Sequence, residues 1–135
     1  MSVFDTIRIA ASGLTAERFR MDVAAANIAN ARSTRSTTGG GVYQPTAPVF
    51  ASMSMGPEGT PGVEAVGLAP IGGDPIRVYD PTHPDADANG FVQYPAVDMA
   101  GQVADLMGAS RSYSLNATVT QAAKQSALDA IELGR

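Results

Sequence analysis

The chain has no cysteine and no tryptophan, a single histidine (His83), and only 6% aromatic residues among its 135. Without cysteine there is no disulfide framework, no thiol nucleophile and no thiolate metal site, and folding is indifferent to the redox state of the compartment. With one histidine there is no second imidazole to complete a metal site or a nucleophile–base pair. His83 stands between Pro81 and Pro84 and reads as a turn histidine that hydrogen-bonds the backbone. Basic residues are also scarce, and the net charge is -4. Through the middle of the chain Glu58, Glu64, Asp74, Asp80, Asp85, Asp87 and Asp98 face one base, Arg77. Nucleic-acid binding is therefore not expected, since it needs a basic stripe to neutralise phosphates. The local run Arg18, Arg20, Arg32 and Arg35 is interleaved with acids and polar residues, as on a solvated or subunit-pairing face.

Long hydrophobic runs are missing too. No stretch approaches the roughly 20 apolar residues of a membrane span. Ser2–Ala16 is interrupted by Asp5, Arg8 and Ser12, so a cleaved signal peptide is not expected, and export would have to use another route. Charged residues are 16% and hydrophobic residues 44%, which is not the composition of a disordered tail. Much of the apolar content is alanine. That composition suits thin helix seams rather than a thick core, and a chain of this size leaves much surface exposed when folded alone. Oligomerisation is expected to complete the core.

What the chain does have is two heptad-striped ends. Phe4, Ile7, Ala11, Leu14, Arg18, Met21, Ala25 and Ile28 are spaced alternately three and four residues apart. So are Met99, Val103, Leu106, Ser110, Tyr113, Ala117, Thr120, Lys124, Ala127 and Ile131. Such a stripe needs a partner helix. The first helix is expected from Val3 to Asn30, with Ser2 as N-cap and the Asn27/Asn30 pair as terminator. The second is expected from Asp98, a natural N-cap, to about Leu133, with Gly134 as terminator. Packing of one helix on the other inside the chain is one use of the stripes. The length of the helices, ~40 Å for the first at 1.5 Å per residue, and their alanine-rich faces favour packing between molecules.

Between the helices the pattern changes. Arg32–Gly41 is rich in Ser, Thr and Gly and reads as a linker. From Val42 to Tyr94, Pro and Gly recur around short runs with β character: Val42–Tyr43, Val49–Phe50, Val63–Val66, Ile76–Tyr79 and Phe91–Tyr94. Met53–Pro61 is expected to be a loop. The expected fold is thus mainly α with a small β-rich insert: a coiled-coil-like pair of terminal helices (1–31 and 96–135) around a linker and central β-hairpin region (32–95).

Sites for chemistry are incomplete. Asp85-Ala86-Asp87-Ala88-Asn89-Gly90 begins like an EF-hand loop, but position 12, which should be a bidentate Glu, is Ala96, and Pro81 and Pro84 replace the entering helix. A small calcium-dependent module built on Asp85, Asp87 and Asn89 is the alternative reading; an Asp/Asn/Gly turn is the plainer one. Gly39-Gly40-Gly41 lacks the pattern of a phosphate loop. No catalytic residue, cofactor or metal is assigned.

The first helix, through Ala11-Ser12-Gly13-Leu14-Thr15-Ala16-Glu17-Arg18-Phe19-Arg20-Met21-Asp22 and Ala26-Asn27-Ile28-Ala29-Asn30-Ala31, resembles the N-terminal signature of bacterial flagellar axial proteins. Val78-Tyr79-Asp80-Pro81-Thr82-His83-Pro84-Asp85-Ala86-Asp87, then Gly90-Phe91-Val92 with Pro95, and Ala109-Ser110-Arg111-Ser112-Tyr113 with Asn116, resemble the proximal-rod members of that family. The pattern departs from the family at Ala96, Gln102-Val103, Leu115 and Gln125. The resemblance implies a non-enzymatic subunit of the flagellar basal-body rod, exported by the flagellar type III apparatus without a cleaved signal. It would assemble across the periplasm with other rod subunits and adjacent basal-body proteins, its terminal helices forming the inner tube. Ile7, Leu14, Met21, Ile28, Leu106, Tyr113 and Ile131 are the residues expected to pack between subunits. Arg18, Asn27, Asn30, Arg111 and Asn116 are those expected to fix register by polar contacts. The ends of a free monomer are expected to be largely disordered and to order on assembly.

Overall fold

The computed structural model describes residues 3–35, 40–56 and 59–134. Two long helices, α1 (Val3–Asn30) and α2 (Met99–Leu133), enclose two hairpins in sequence order: β1 (Thr46–Met55) with β2 (Thr60–Pro70), and β3 (Ile76–Tyr79) with β4 (Phe91–Tyr94). Both strand pairs are antiparallel. The fold is mainly α with a β insert, as the residue pattern implied.

The helices run antiparallel. Gly13 faces Asn116, Arg20 reaches Asp105 at 2.7 Å, and Asn27 reaches Gln102 at 2.9 Å, so rising numbers on α1 meet falling numbers on α2. α2 begins where its sequence says it should. The Asp98 side chain accepts from the Gly101 N–H at 3.1 Å, satisfying one of the free donors of the first turn. Gly134 is its C-cap, at φ -88° rather than in the left-handed region. The expected N-cap of α1, Ser2, lies outside the described residues.

The packing inside the chain is thin. The buried residues of the helices are Ala10, Ala16, Val23, Ala24 and Asn27 on α1, shared between α2 and the β1–β2 hairpin, and Gln102 and Ala109 on α2. The buried face lies one step round from the heptad stripes. On α1 the stripe's Ile7, Leu14, Met21 and Ile28 are half-buried, while Phe4, Ala11, Arg18 and Ala25 are exposed. On α2 Met99, Val103, Ser110, Tyr113, Lys124 and Ile131 face outward. The stripes were read by apolar size, whereas close approach of two backbones selects alanine and glycine.

Asn27 does not help to end α1, as its residue type suggested. Its side chain is fully buried and makes four hydrogen bonds. Nδ2 donates to the Thr46 carbonyl (2.7 Å) and to Oε1 of Gln102 (2.9 Å). Oδ1 accepts from the Tyr43 hydroxyl (2.8 Å) and the Thr46 N–H (3.1 Å). That is the full capacity of an amide. One side chain therefore ties α1 to α2, to the first residue of β1 and to the linker before it. Asn30 is the last helical residue, its Nδ2 donating to the Ala26 carbonyl.

The β1–β2 hairpin lies along α1. Thr60 donates to Asp5 at 3.0 Å, and the Ser12 hydroxyl accepts from the Val63 N–H at 3.3 Å. Two expectations for the insert are corrected. Val42–Tyr43 is not a strand, because Tyr43 is drawn to Asn27. And Met53–Pro61 is largely strand: β1 runs to Met55 and β2 starts at Thr60, joined by a turn in which Gly56 and Gly59 take φ +70° and +68°. Met53 and Met55 alternate with exposed Ser52 and Ser54, a half-buried strand pattern obscured by the flanking Gly and Pro. Pro57 and Glu58 lie outside the described residues, as do residues 36–39 of the linker.

Replacing Asn27 with Ala orphans the Gln102, Thr46 and Tyr43 groups together. The expected loss is ~3 kcal/mol: roughly 1–3 kcal/mol for buried Gln102, and less for each group of Tyr43 and Thr46, which are half-buried and can turn to water. The check is urea unfolding followed by circular dichroism, with Asn30→Ala as a comparison expected to stay within ~1 kcal/mol.

Candidate assembly surface

α2 exposes large apolar side chains on both flanks of its seam. Met99, Val103 and Met107 follow one another at four-residue spacing on one flank; Leu115 and Val119 do so on the other. Met107 is 67% and Leu115 62% exposed. A helix apolar on several sides is normally covered on several sides, and α1 covers one. Exposed charges are sparse along this surface, so the face is unsuited to permanent contact with water.

Of the residues expected to pack between subunits, Tyr113 and Ile131 are exposed; Ile7, Leu14, Met21, Ile28 and Leu106 are half-buried between the seam and the outside. Of those expected to fix register, Arg18 and Arg111 are exposed, and Arg111 lines a shallow hollow with Leu106, Met107, Ser110 and Ser114. Asn27 spends all its hydrogen bonds inside the chain and has none left for a neighbour. Asn116 is half-buried against α1: a Cβ on Gly13 would stand 2.8 Å from its Nδ2. Residue-type reasoning missed Met107, Leu115, Val119, Leu128 and Leu133. The signal was available, since these break the single stripe and give α2 a second and third apolar side.

The central acids are engaged locally. Asp85 accepts from the Thr34 hydroxyl (2.6 Å) and pairs with Arg35, clasping the segment after α1 to the loop before β4. Asp87 caps its own turn, accepting from the N–H groups of Asn89 (2.8 Å) and Phe91 (3.0 Å), and pairs with Arg77 at 3.0 Å. Arg77 in turn lies over the Phe91 ring. Asp80 accepts from Thr82 through both its N–H and its hydroxyl. His83 Nδ1 accepts from the Asp85 N–H at 3.1 Å. The plainer reading of this stretch, an Asp/Asn/Gly turn, is the one observed, and the calcium alternative finds no support. Asp85 and Asp87 point to different partners, and among the described residues no group of three or more acidic, histidine or cysteine side chains converges on a metal position.

These bonds hold all three carboxyls below their ordinary value. The Thr82 hydroxyl is the main cause for Asp80, the Thr34 hydroxyl and then Arg35 for Asp85, and the Phe91 N–H for Asp87. A depressed carboxylate contributes stability that is present above its ordinary pKa, 3.8 here, and is lost as the pH falls through the lower folded value. The ring resonances of Phe91, whose N–H and ring are held by Asp87 and Arg77, should therefore hold steady from neutrality to about pH 5 and shift only well below that. Proton NMR across an acid titration checks this. At the seam, Gly13→Val should lower stability by about 1–3 kcal/mol through overpacking against Asn116, read from the melting temperature.

Among the described residues no helix is long and apolar enough to cross a membrane. The family model described as flagella basal body rod protein matches residues 7–35, most of α1 and the start of the linker. The model for the C-terminal region of flagellar basal body rod FlgEFG proteins matches residues 88–133, which include β4 and α2. The chain is 34% identical over 150 residues to flagellar basal-body rod protein FlgC of Bacillus subtilis (strain 168), with both sequences covered in full. It is 36% identical over 135 residues to the FlgC of Salmonella typhimurium, again over all of both. To the FlgC of Borreliella burgdorferi it is 36% identical, over 92% of each.

Proposed function

This chain belongs to the FlgC family of flagellar basal-body rod proteins and is a structural subunit of that rod; on that footing we propose that it assembles with other rod proteins through the outer faces of its terminal helices. The observation that carries the reading is the inversion of α2. Its inner seam is alanine, glutamine and asparagine, while Met107, Leu115, Val119 and Ile131 face out. A helix that spends its large apolar side chains on the outside has its main partners outside the chain.

In this reading residues 1–31 and 96–135 form the assembly core, and 32–95 form an outer insert. The half-buried Ile7, Leu14, Met21, Ile28 and Leu106 complete their burial against neighbouring subunits together with Tyr113 and Ile131. Arg18, Arg111, Asn30 and Asn116 supply the polar contacts that set register. The subunit performs no catalysis. It leaves the cell interior through the flagellar type III apparatus and forms part of the drive shaft that crosses the periplasm. The thin seam supports an order of events: the end of the helix pair held by Asn27 is ordered in the free subunit, and the far ends of both helices order as neighbours cover them.

The test is Met107→Glu and Leu115→Glu. Both sites are exposed in the single chain, so its stability should change by less than ~0.5 kcal/mol. Incorporation into rods, read by motility and by the content of isolated basal bodies, should be lost. Normal assembly of both variants would contradict the reading.

A further inference from the structure

We infer that the carboxy-terminal overhang of α2 docks in an apolar groove at the opposite end of the helix pair of a second copy of this chain. The inference rests on the reading as an assembly subunit and names one contact within it.

The overhang follows from the register. α2 has 35 residues and α1 has 28, and the antiparallel pairing of Asn27 with Gln102 and Gly13 with Asn116 puts Val3 level with Ser126. The last turns of α2 therefore run past Val3, the first described residue. They carry Leu128, Ile131 and Leu133, the last 89% exposed, with Asp129 and Glu132 between them. Asp129 is held on its own helix by Gln125 at 2.7 Å. Glu132 has no ion-pair partner among the described residues.

The groove lies where α1 ends and α2 begins. It is open, roughly 650 Å³ in volume, and its walls are Ile28, Ala29, Ile76, Val78, Tyr94 and Met99. Ile76 and Val78 belong to β3, every residue of which is exposed, so this wall is uncovered apolar surface. Arg32 stands at the rim, exposed and without an ion-pair partner among the described residues. Leu128 and Ile131 at three-residue spacing present one apolar ridge, flanked by the carboxylates that Arg32 lacks. The chain's own overhang cannot reach: about 40 Å of helix pair separates the two ends. A contact between unlike patches at opposite ends is heterologous, and where successive rotations do not close into a ring, its repetition gives an open head-to-tail string, the geometry of an axial assembly.

The natural chain has no cysteine, which makes cross-linking clean. Full-length Val78→Cys and full-length Ile131→Cys, purified separately, mixed and oxidised, should form the mixed disulfide-linked dimer. Either variant alone should form far less. A fluorescent peptide of residues 122–134 should also bind the full chain, with affinity reduced about tenfold or more by Arg32→Glu. Charge reversal in the peptide, Asp129→Lys with Glu132→Lys, should recover much of the loss. Absence of the mixed disulfide, or peptide binding indifferent to Arg32→Glu, overturns the inference. So does capture of the groove by the helix end of a different rod protein in preference to this one. If Met107→Glu blocks rod incorporation while the mixed disulfide is absent, the rod reading stands and this contact alone fails.

Discussion

Everything else in this fold hangs on the buried amide of Asn27. A fully satisfied side-chain amide in a dry site is unforgiving, because a slip of any one of its three partners breaks one or two of its four hydrogen bonds. Thr46 is held through both its N–H and its carbonyl, so the start of the hairpin is fixed against α1. Gln102 fixes the sliding position of α2. Alanine seams lack that discrimination, since one methyl resembles the next. The polar knot supplies the register that the apolar contact cannot, much as a single buried asparagine does in a coiled coil.

Away from the knot the design changes. The buried apolar side chains of the helices are small, Ala10, Ala16, Ala24 and Ala109 among them, and the pair is joined by the notch at Gly13 and a largely exposed Arg20–Asp105 pair worth about 0–1 kcal/mol. Large side chains are spent on the outside. On the proposed reading, a thin inner seam with a rich outer surface leaves the subunit pliable before assembly and rigid after it. The hairpin along α1 and the Arg35–Asp85 clasp at the far end hold the insert against the core without drawing on the outer helix faces.

The helices were legible from the residues, and their bounds came close because the signals are local: Asp98 caps, Asn30 and Gly134 terminate, and three-four spacing runs unbroken between. β3 and β4 were equally plain, being short runs bounded by turn residues. The longer hairpin was blurred because Gly62 and Pro61 sit inside it and its alternation uses methionine and serine, which carry weak strand preference. Which face of α2 turns inward was hidden for a different reason. Periodicity finds the apolar side of a helix, and here the inward side is the one with small and polar residues. Asn27 was visible as an oddity, but its three partners lie 16, 19 and 75 residues away, and nothing local announces them. Likewise Gln102, a departure from the family pattern, proves to be the residue that answers Asn27 across the seam.

The central claim is that α2 keeps its main apolar partners outside the chain. Hydrogen–deuterium exchange compared between the free subunit and assembled rods addresses it directly. The segment 95–105, near the Asn27 knot, should be protected in both states. Amides from about Met107 to Leu133 should exchange readily in the free subunit and become strongly protected in the rod. Equal, high protection along the whole of α2 in the free subunit would contradict it.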